Sequence, residues 1–378
     1  MALAASTAIK AQSATRIARA VAETIAKVPA ASGGLVFVTA QLAPQLNAIA
    51  HEIAELDSRA PLLLVCGSGV LTEKGEIEDQ PAAAILVWSG GRAEPVAIEA
   101  GDADELGEAM ARLVADRAAR TAPTVITFVR PEGFSPQVLE QLQGMRGTRH
   151  LIGGGSAAGA PLFAIHGNRV SSGAAVGLIL RDVLPPAVRA SPACRLLMPL
   201  RKITECRGSM VVRLDDEPAL DVLSEIGKNV ADQPLIFAVL AGEDAPTTTG
   251  RPELLVRAVQ GVDPVRRGLL VSDEVREGMR LAFGIRDPAA ARTDLETAAR
   301  DLGREIAGSL PRFLLYINCS GRGSSLYGQY DVDTRILRAR FGDVPCAGMQ
   351  SAFEIAPYGG RPVLQLYTGV IAVFTTPS

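Results

Sequence analysis

A polar, glycine-rich segment at residues 318–328, NCSGRGSSLYG, carries the residue types best suited to hold a small molecule. Glycines such as Gly321 and Gly323 permit close backbone approach, and successive N–H groups in such a loop can bind an anion. Arg322 offers a fork of donors that matches a carboxylate, and Tyr327 offers an apolar wall with a hydroxyl group. The segment therefore predicts a cradle for a carboxylate-bearing ligand.

Two aspartates follow this segment, and Asp333 could accept a hydrogen bond from an amino group, which would suit an amino-acid-like zwitterion. The alternative is that Arg322 pairs internally with Asp333 and that Tyr327 belongs to the core, since loops of this kind are common. Under the first interpretation, replacing Arg322 with alanine weakens ligand binding and leaves the protein folded.

Cys319 ends an apolar run and raises the question of nucleophilic catalysis. A reactive thiol needs a nearby base or a depressed pKa, and all three histidines lie in the N-terminal half of the chain. The cysteine–arginine spacing of phosphatases is absent, because Ser325 stands six residues after Cys319. A buried cysteine is the simpler interpretation, and an enzyme that uses Cys319 or a pocket carboxylate stays open as the alternative.

Glycines also end other apolar runs, in the segment CGSG at residues 66–69 and around Gly348. Neither CGSG nor the segment GGGSAAG at residues 153–159 is a nucleotide-binding fingerprint, because the helix-opening GxGxxG and the GxxxxGK[ST] patterns do not occur. They predict close backbone packing or access to a pocket at strand ends. Glu354, just past the second run, is the carboxylate expected nearest to such a pocket, whereas Glu76 and Glu78 are interpreted as a solvated turn.

Composition excludes several classes of protein. The 378 residues include 38 basic and 41 acidic ones without a basic tail, so nothing indicates binding to nucleic acid. The five cysteines form no CxxC pair, which argues against a zinc site and for free thiols in the cytoplasm. No apolar run approaches the length that spans a bilayer, so no membrane association is expected. No cofactor or metal is predicted, although haem ligation through histidine or cysteine stays open.

One order of elements recurs three times along the chain: a helix, an apolar strand, a second helix, a strand that ends in small residues, and two further strands. The first strands are GLVFVTA, TVITFVR and RFLLYIN, and the small-residue strands are PLLLVCGSG, HLIGGGSA and VPCAGMQSA. This recurrence indicates an internal repeat of one α/β unit. An insertion at residues 182–287, which consists mainly of strand patterns, separates the second and third copies.

These patterns predict an α/β, mixed α+β fold of repeated helix-strand-helix-strand units with mixed sheets and two domains. The expected division is an amphipathic N-terminal helix in residues 1–29, a first domain at 30–214 and a second domain at 215–378. The charged turn LDDEP marks the boundary between the two domains.

The run from NCSGRGSSLYGQYDVD to FGDVPCAGMQSAFEIAP resembles the signature of the C-terminal FIST domain, named for F-box and intracellular signal transduction. The segments LLVCGSGVLTEKGEIEDQPAAAILVW and LIGGGSAAG are similar to the N-terminal FIST domain, so the resemblance covers nearly the whole chain. The chain departs from the family pattern at Phe353 and Ala356, where the family has glycines. It also lacks a histidine that the family often carries in the next strand, here VLQLY.

The resemblance implies a sensory module for small ligands, amino acids among them, that in this stand-alone form acts on a signalling partner in trans. The expected ligand-binding residues are Cys66, Gly67, Gly69, Asn318, Cys319, Gly321, Arg322, Gly323, Tyr327, Asp333, Gly348 and Glu354. A homo-oligomer stays open, and a protein-interaction module without a ligand is the second alternative. Cyclic-amide hydrolases, which resemble a threefold repeat with a Ser–Lys pair in each copy, are disfavoured because no lysine follows Lys228.

Overall fold

The computed structural model of the chain describes residues 3–116, 123–142, 150–228, 235–244 and 253–376. These residues form two compact units. The first unit contains the described residues within 1–191, 295–365 and 369–378, and the second contains those within 192–294 and 366–368. The boundaries predicted at residues 30 and 215 divide the sequence in a different way and stay a prediction.

Residues 4–89 form a first set of helices and strands. Its elements are β1 Ala4–Lys10, α1 Ala14–Ala26, β2 Ala31–Thr39, a 3₁₀ helix Ala40–Gln45, α2 Leu46–Ala54, β3 Ser58–Gly67, β4 Gly69–Thr72, β5 Gly75–Glu78 and β6 Ala82–Ser89. Ile17 and Val21 recur on one face of α1 and are buried, as the helical spacing predicts. The helix expected in residues 1–29 is nevertheless preceded by β1, which is hard to predict because alanine has little strand propensity.

Residues 92–181 form a second set. Its elements are β7 Arg92–Ile98, α3 Ala103–Asp116, β8 Thr124–Val129, α4 Pro136–Glu140, β9 Leu151–Gly155, β10 Leu162–Gly167, β11 Arg169–Gly173 and β12 Ala175–Arg181. Asp104 and Glu105 lie in the first turn of α3, where the positive end of the helix dipole favours acidic side chains.

The third set begins with β13, which lies inside the range predicted as an insertion, and the other elements of that range follow it. These elements are β13 Ala187–Pro192, β14 Cys194–Leu196, β15 Arg201–Arg207, β16 Met210–Leu214, β17 Glu217–Pro218, α5 Ala219–Lys228, β18 Ile236–Ala241, β19 Leu255–Asp263, β20 Gly268–Val271 and β21 Arg280–Arg286. The third set then resumes with α6 Pro288–Glu305, β22 Pro311–Cys319, α7 Ser324–Tyr327, α8 Val332–Phe341, β23 Cys346–Ser351, β24 Glu354–Tyr358, β25 Arg361–Gln365 and β26 Thr368–Thr375.

Three six-stranded sheets share one strand order. They are β1-β6-β2-β3-β10-β11, β7-β12-β8-β9-β24-β25 and β13-β26-β22-β23-β4-β5. The third and fourth strands of each sheet, β2–β3, β8–β9 and β22–β23, are parallel. The last two strands of each sheet are a hairpin that belongs to a different set of elements. Each set of elements therefore contributes one hairpin to the sheet of another set, and this connects the three sets.

Each of these sheets turns one face to a common apolar core. That core includes Leu35, Phe37, Ile126, Phe128, Leu315 and Ile317. The other face of the first sheet is covered by α1 and α2, and the other face of the third sheet is covered by α6 and α8. Because both faces of a middle strand are buried, its sequence is a nearly continuous apolar run such as GLVFV.

The second unit is an antiparallel barrel. Its strands pair in the order β21-β15-β16-β20-β19-β18, and β18 pairs back with β21 to close the ring. Because the ring closes, each of its six described strands pairs with a neighbour on both sides. Together the two units form the mixed α+β fold that the sequence predicts. Within the described ranges, every helix is too short or too polar to cross a bilayer.

Candidate functional site

A buried ion pair anchors the loop that sequence analysis selected. Arg322 and Asp333 are 1% and 0% exposed. The guanidinium contacts the carboxylate at two places, with Nε 2.8 Å from Oδ2 and Nη2 3.1 Å from Oδ1. Burial by itself raises the pKa of Asp333, but the Arg322 charge and the hydrogen bonds to the carboxylate outweigh burial and lower that pKa. Asp333 is therefore held ionised.

Two tyrosines complete this network. Tyr316 on β22 donates to Asp333 Oδ2 at 2.7 Å, and Tyr327 on α7 donates to Asp333 Oδ1 at 2.7 Å. Asn318 Nδ2 lies 3.4 Å from Asp333 Oδ2. We call Tyr316, Asn318, Arg322, Tyr327 and Asp333 the Asp333 network. It ties the end of β22, the loop and the start of α8 together.

The Asp333 network corrects the ligand-clamp role predicted for Arg322, Tyr327 and Asp333. Their polar atoms are directed at one another, and the remaining guanidinium nitrogen, Nη1, donates to the carbonyl oxygen of Ser191 at 2.9 Å. An external carboxylate would have to break a buried ion pair to reach this guanidinium. The internal pairing that sequence analysis kept as the alternative is the one observed.

The carboxylate expected from a ligand at this loop comes instead from the protein. Glu78 on β5 accepts hydrogen bonds from the N–H of Ser324 at 3.1 Å and from its hydroxyl at 2.6 Å. Gly323 has a φ of 65°, and a methyl group there would overlap Glu78 Oε1 and Gln350 Nε2, which explains the glycine. The solvated-turn interpretation of Glu76 and Glu78 is wrong, because both lie on β5, where Glu78 contacts this loop and Glu76 accepts a hydrogen bond from the N–H of Thr334 on α8.

Gln350 on β23 joins the glycine segments of the first and third sets. Its amide lies against Gly323 and also against Gly69, where an added methyl group would come within 2.7 Å of Oε1. Gly67 approaches the Gln350 carbonyl oxygen, and the Ser68 N–H donates to that oxygen at 2.9 Å. Gly67, Gly69 and the loop therefore do meet, through a glutamine that sequence analysis passed over.

Cys66 and Gly348 lie away from this meeting point. Cys66 is buried on the helix-covered face of the first sheet, and burial raises the pKa of its thiol to about 12. Gly348 lies within β23, where a methyl group would overlap the carbonyl oxygen of Tyr316 on the neighbouring strand. The predicted pocket role of both residues is corrected: Cys66 is a core residue, and Gly348 permits close strand packing.

Replacing Gly348 with alanine is expected to lower the free energy of unfolding by more than about 2 kcal/mol, because β22 and β23 would have to move apart. Urea unfolding followed by circular dichroism measures the change. The control is Gly227→Ala on α5, where an added methyl group meets no atom within 4 Å and is expected to be neutral or stabilising. Equal effects of the two substitutions would contradict the packing role.

The ends of the three parallel strand pairs are joined by equivalent backbone hydrogen bonds. These bonds run from Ser68 N to Gln350 O at 2.9 Å, from Ala157 N to Cys66 O at 2.7 Å, and from Ala352 N to Gly155 O at 3.1 Å. The same two-residue offset recurs in all three sheets. Cys66, Gly155 and Gln350 therefore occupy equivalent positions in the three sheets. Counting along the paired strands from these three residues identifies the other equivalent positions.

Glu354 stands out among the residues at these ends. It is 0% exposed and pairs with Gly154, while the equivalent residues of the other hairpins, Val70 and Leu162, belong to the common apolar core. Ser351 Oγ donates to Glu354 Oε1 at 2.9 Å. Burial of a carboxylate costs free energy that valine and leucine do not incur. This position therefore indicates a role beyond packing.

Arg130 and Cys319 occupy equivalent positions at the ends of β8 and β22. Arg130 Nε lies 3.8 Å from Glu132 Oε2, and that nitrogen has no hydrogen-bond partner among the described residues. Cys319 is 9% exposed, and its Sγ accepts a hydrogen bond from the N–H of Gly321 at 3.4 Å. Each lies two positions after a residue of the common core, Phe128 or Ile317, so alternation along the strand directs both side chains to the same side as that core.

We call Arg130, Cys319, Ser351 and Glu354 the strand-end site. The sequence predicts Cys319 and Glu354 as ligand-binding residues, whereas Arg130 and Ser351 are not among the predicted ones. The available signal was a polar residue at the end of an apolar strand run, in VITFVR and in CAGMQS. That signal is weak, because many strands end in this way.

The histidines that a cysteine nucleophile or a haem iron could use lie elsewhere. They are His51 on α2, His150 just before β9 and His166 near the far end of β10. In the described part of the chain, no three His, Cys, Asp or Glu side chains are grouped so that they could hold a metal ion. All five cysteines are free thiols.

Known proteins similar to this chain point to one family. A family model described as the FIST N domain matches residues 33–217, and one described as the FIST C domain matches residues 219–357. The uncharacterised protein Rv0628c of Mycobacterium tuberculosis (strain ATCC 25618 / H37Rv) is 27% identical over 327 residues, which cover 83% of this chain and 84% of the relative. The uncharacterised protein Mb0898c of Mycobacterium bovis is 27% identical over 333 residues, which cover 83% of each chain. The chain therefore belongs to the FIST family and carries both its N and its C domain.

Proposed function

We propose that this protein is a small-ligand-binding signal-transduction protein that holds an amino-acid-like ligand at the strand-end site. Membership of the FIST family associates the chain with signal transduction. The observation that carries the proposal is Glu354, a carboxylate with no exposed surface where the two equivalent positions hold Val70 and Leu162. A carboxylate retained in an apolar core at this cost is most easily explained by a ligand that it binds.

The charges of the strand-end site suit a zwitterion. Glu354 would accept hydrogen bonds from an ammonium group, and Arg130 would donate to a carboxylate. Both residues lie in one sheet, on β24 and at the end of β8, with β9 between them. The backbones of β24 and β8 are two strand spacings, or about 10 Å, apart. A molecule of amino-acid size could contact the Glu354 and Arg130 side chains at the same time across this separation. Ser351 donates to Glu354, and Cys319 pairs with Ser351 across β22 and β23, so both lie beside the proposed ammonium site.

Replacing Glu354 with leucine is expected to weaken binding of the ligand at least tenfold, because a charged hydrogen bond is worth about 1.5–3 kcal/mol. The protein should still fold, since Leu162 fills the equivalent position. A thermal-shift panel of the standard amino acids would identify the ligand, and calorimetry would then compare wild type, Glu354→Leu and Glu354→Gln.

The glutamine variant separates charge from hydrogen bonding in this test. It keeps an acceptor for the Ser351 hydroxyl but has no negative charge for an ammonium group. Binding by Glu354→Leu with the affinity of the wild type would overturn the assignment. Failure of every amino acid to bind the wild type at millimolar concentration would overturn the ligand class.

The signal is proposed to pass to a partner protein in trans, in the cytoplasm. Five free thiols are consistent with that reducing compartment. Native mass spectrometry of freshly purified protein tests for a retained ligand and, at the same time, gives the oligomeric state. A retained mass in the amino-acid range is expected, and a mass in the range of haem would contradict the proposed ligand class.

A further inference from the structure

A cleft on the surface of the barrel is lined mainly by arginines. It has a volume of about 300 Å³ and lies beside β15, β16 and the turn that joins β19 to β20. Its lining residues are Glu205, Arg207, Val212, Arg213, Pro218, Val265, Arg266 and Arg267. This volume is at the lower end of the range for small-molecule sites. All of these residues belong to the second unit and are separate from the strand-end site.

Three of these arginines are oriented by acidic partners. Arg213 Nε lies 3.2 Å from Glu205, Arg266 Nη1 lies 2.8 Å from Asp263, and Arg267 pairs with Asp221. Each guanidinium has five N–H donors, so these contacts leave donors free to bind a ligand. The acids hold the side chains in place, which reduces the entropy lost when a ligand binds.

Arg207 supplies the excess charge of the cleft. It is exposed and has no hydrogen-bond or ion-pair partner within the part of the chain that the structure describes. Four of the eight lining residues are arginines and one, Glu205, is acidic, whereas Asp221 and Asp263 pair with Arg267 and Arg266 from outside the lining. The chain as a whole has a net charge of −3, so this excess is local.

We propose that this cleft binds a small oxyanion with two or more negative charges, such as a phosphate-bearing or polycarboxylate molecule. Guanidinium groups match both phosphate and carboxylate oxygens in two-point contacts. Val265, which is 90% exposed at the cleft, would cover an apolar part of such a molecule. The barrel would thus give the protein a second ligand input that does not depend on the strand-end site.

Calorimetric titration with inorganic pyrophosphate and, separately, with citrate tests this proposal at about 0.15 M salt, where weak surface attraction is screened. Saturable binding of one molecule per chain is expected. Arg207→Gln should weaken it at least tenfold. The matched control is Arg195→Gln, which removes an exposed arginine paired with Asp287 elsewhere in the same unit. This control is expected to bind like the wild type.

The two probes distinguish the sources of the oxyanion. Stronger binding of pyrophosphate identifies phosphate chemistry, and stronger binding of citrate identifies carboxylate chemistry; either result supports the site. No saturable binding of either probe to the wild type would overturn the proposal, and so would equal weakening by Arg207→Gln and Arg195→Gln. Because Glu354→Leu leaves this cleft unchanged, failure here is distinguishable from failure of the amino-acid site.

Discussion

Replacing Asp333 with alanine is expected to lower the free energy of unfolding by about 3–5 kcal/mol. The substitution removes the only carboxylate within the Asp333 network and leaves the Arg322 guanidinium, 1% exposed, without its counter-charge. It also removes the acceptor for the hydroxyls of Tyr316 and Tyr327. An unpaired charge and unpaired hydroxyls in a buried site are among the most destabilising changes that one substitution makes.

Urea unfolding of wild type and Asp333→Ala measures this loss. The matched control is Asp343→Ala, which breaks an exposed ion pair with Arg338 at the opposite, C-terminal end of α8 and should cost less than about 1 kcal/mol. A loss at Asp333 no larger than at Asp343 would show that the network contributes little.

The same reasoning changes the expected effect of replacing Arg322. From the sequence, Arg322→Ala is expected to weaken ligand binding in a folded protein. The structure instead predicts marked destabilisation, because Asp333 would be left buried and charged. In the double variant Arg322→Met/Asp333→Ala both charges are absent, so it should recover part of the stability lost in either single variant.

Replacing Glu76 with glutamine is expected to stabilise the protein at alkaline pH by up to about 3 kcal/mol. Burial raises the pKa of Glu76 to about 7, and the nearby carboxylates of Asp333, Glu78 and Asp331 add to that rise. The N–H of Thr334, which donates to Glu76 Oε1 at 3.2 Å, opposes it. Glutamine keeps an acceptor for this N–H but carries no charge to be repelled.

The sign of the pH dependence follows from the direction of this shift. The pKa of Glu76 in the folded state lies above its ordinary value of 4.5. The stability that the protonated form contributes is therefore complete below about pH 4.5 and is lost as the pH rises through about 7. Wild type and Glu76→Gln should be equally stable at the acidic end of this window and differ most at pH 8.

Urea unfolding at a series of pH values between 4.5 and 8 checks this prediction. Glu23→Gln provides the control, since Glu23 is an exposed residue on α1 whose ion pair with Arg19 is also exposed. Its difference from wild type should stay small across the series. A constant difference between Glu76→Gln and wild type at all pH values would contradict a raised pKa for Glu76.

Local patterns in the sequence were enough to predict most of the elements of this protein. Long apolar runs such as GLVFVTA and RFLLYIN become middle strands because both of their faces are buried. The spacing of Ile17 and Val21 predicts α1, because one helical face packs on the first sheet. The sequence likewise predicts that Gly323 is needed for its backbone conformation, and its φ is 65°. Each of these features depends on residues close together in the chain.

Only the tertiary structure shows which elements pair. Hairpins β4–β5, β10–β11 and β24–β25 each join the sheet of another set, and alternation along a strand does not specify its partner. This exchange brings Glu78 to Ser324, 246 residues away, so the protein supplies the carboxylate that sequence analysis assigned to a ligand.

The chemistry of the predicted site was decided in the same way. Arg322 and Asp333 have the residue types of a ligand clamp and of an internal ion pair alike, and burial from all sides makes them the latter. In the sequence, Glu354 is an ordinary glutamate at the start of a strand. Comparison of the three sheets shows that the equivalent positions hold the apolar residues Val70 and Leu162. The sequence by itself determined the fold class and the family, whereas the location of the ligand site stays a prediction. Only the tertiary structure decided which polar side chains form hydrogen bonds and ion pairs within the protein. Burial of a charge and the identity of its partner depend on contacts between residues that are distant in sequence.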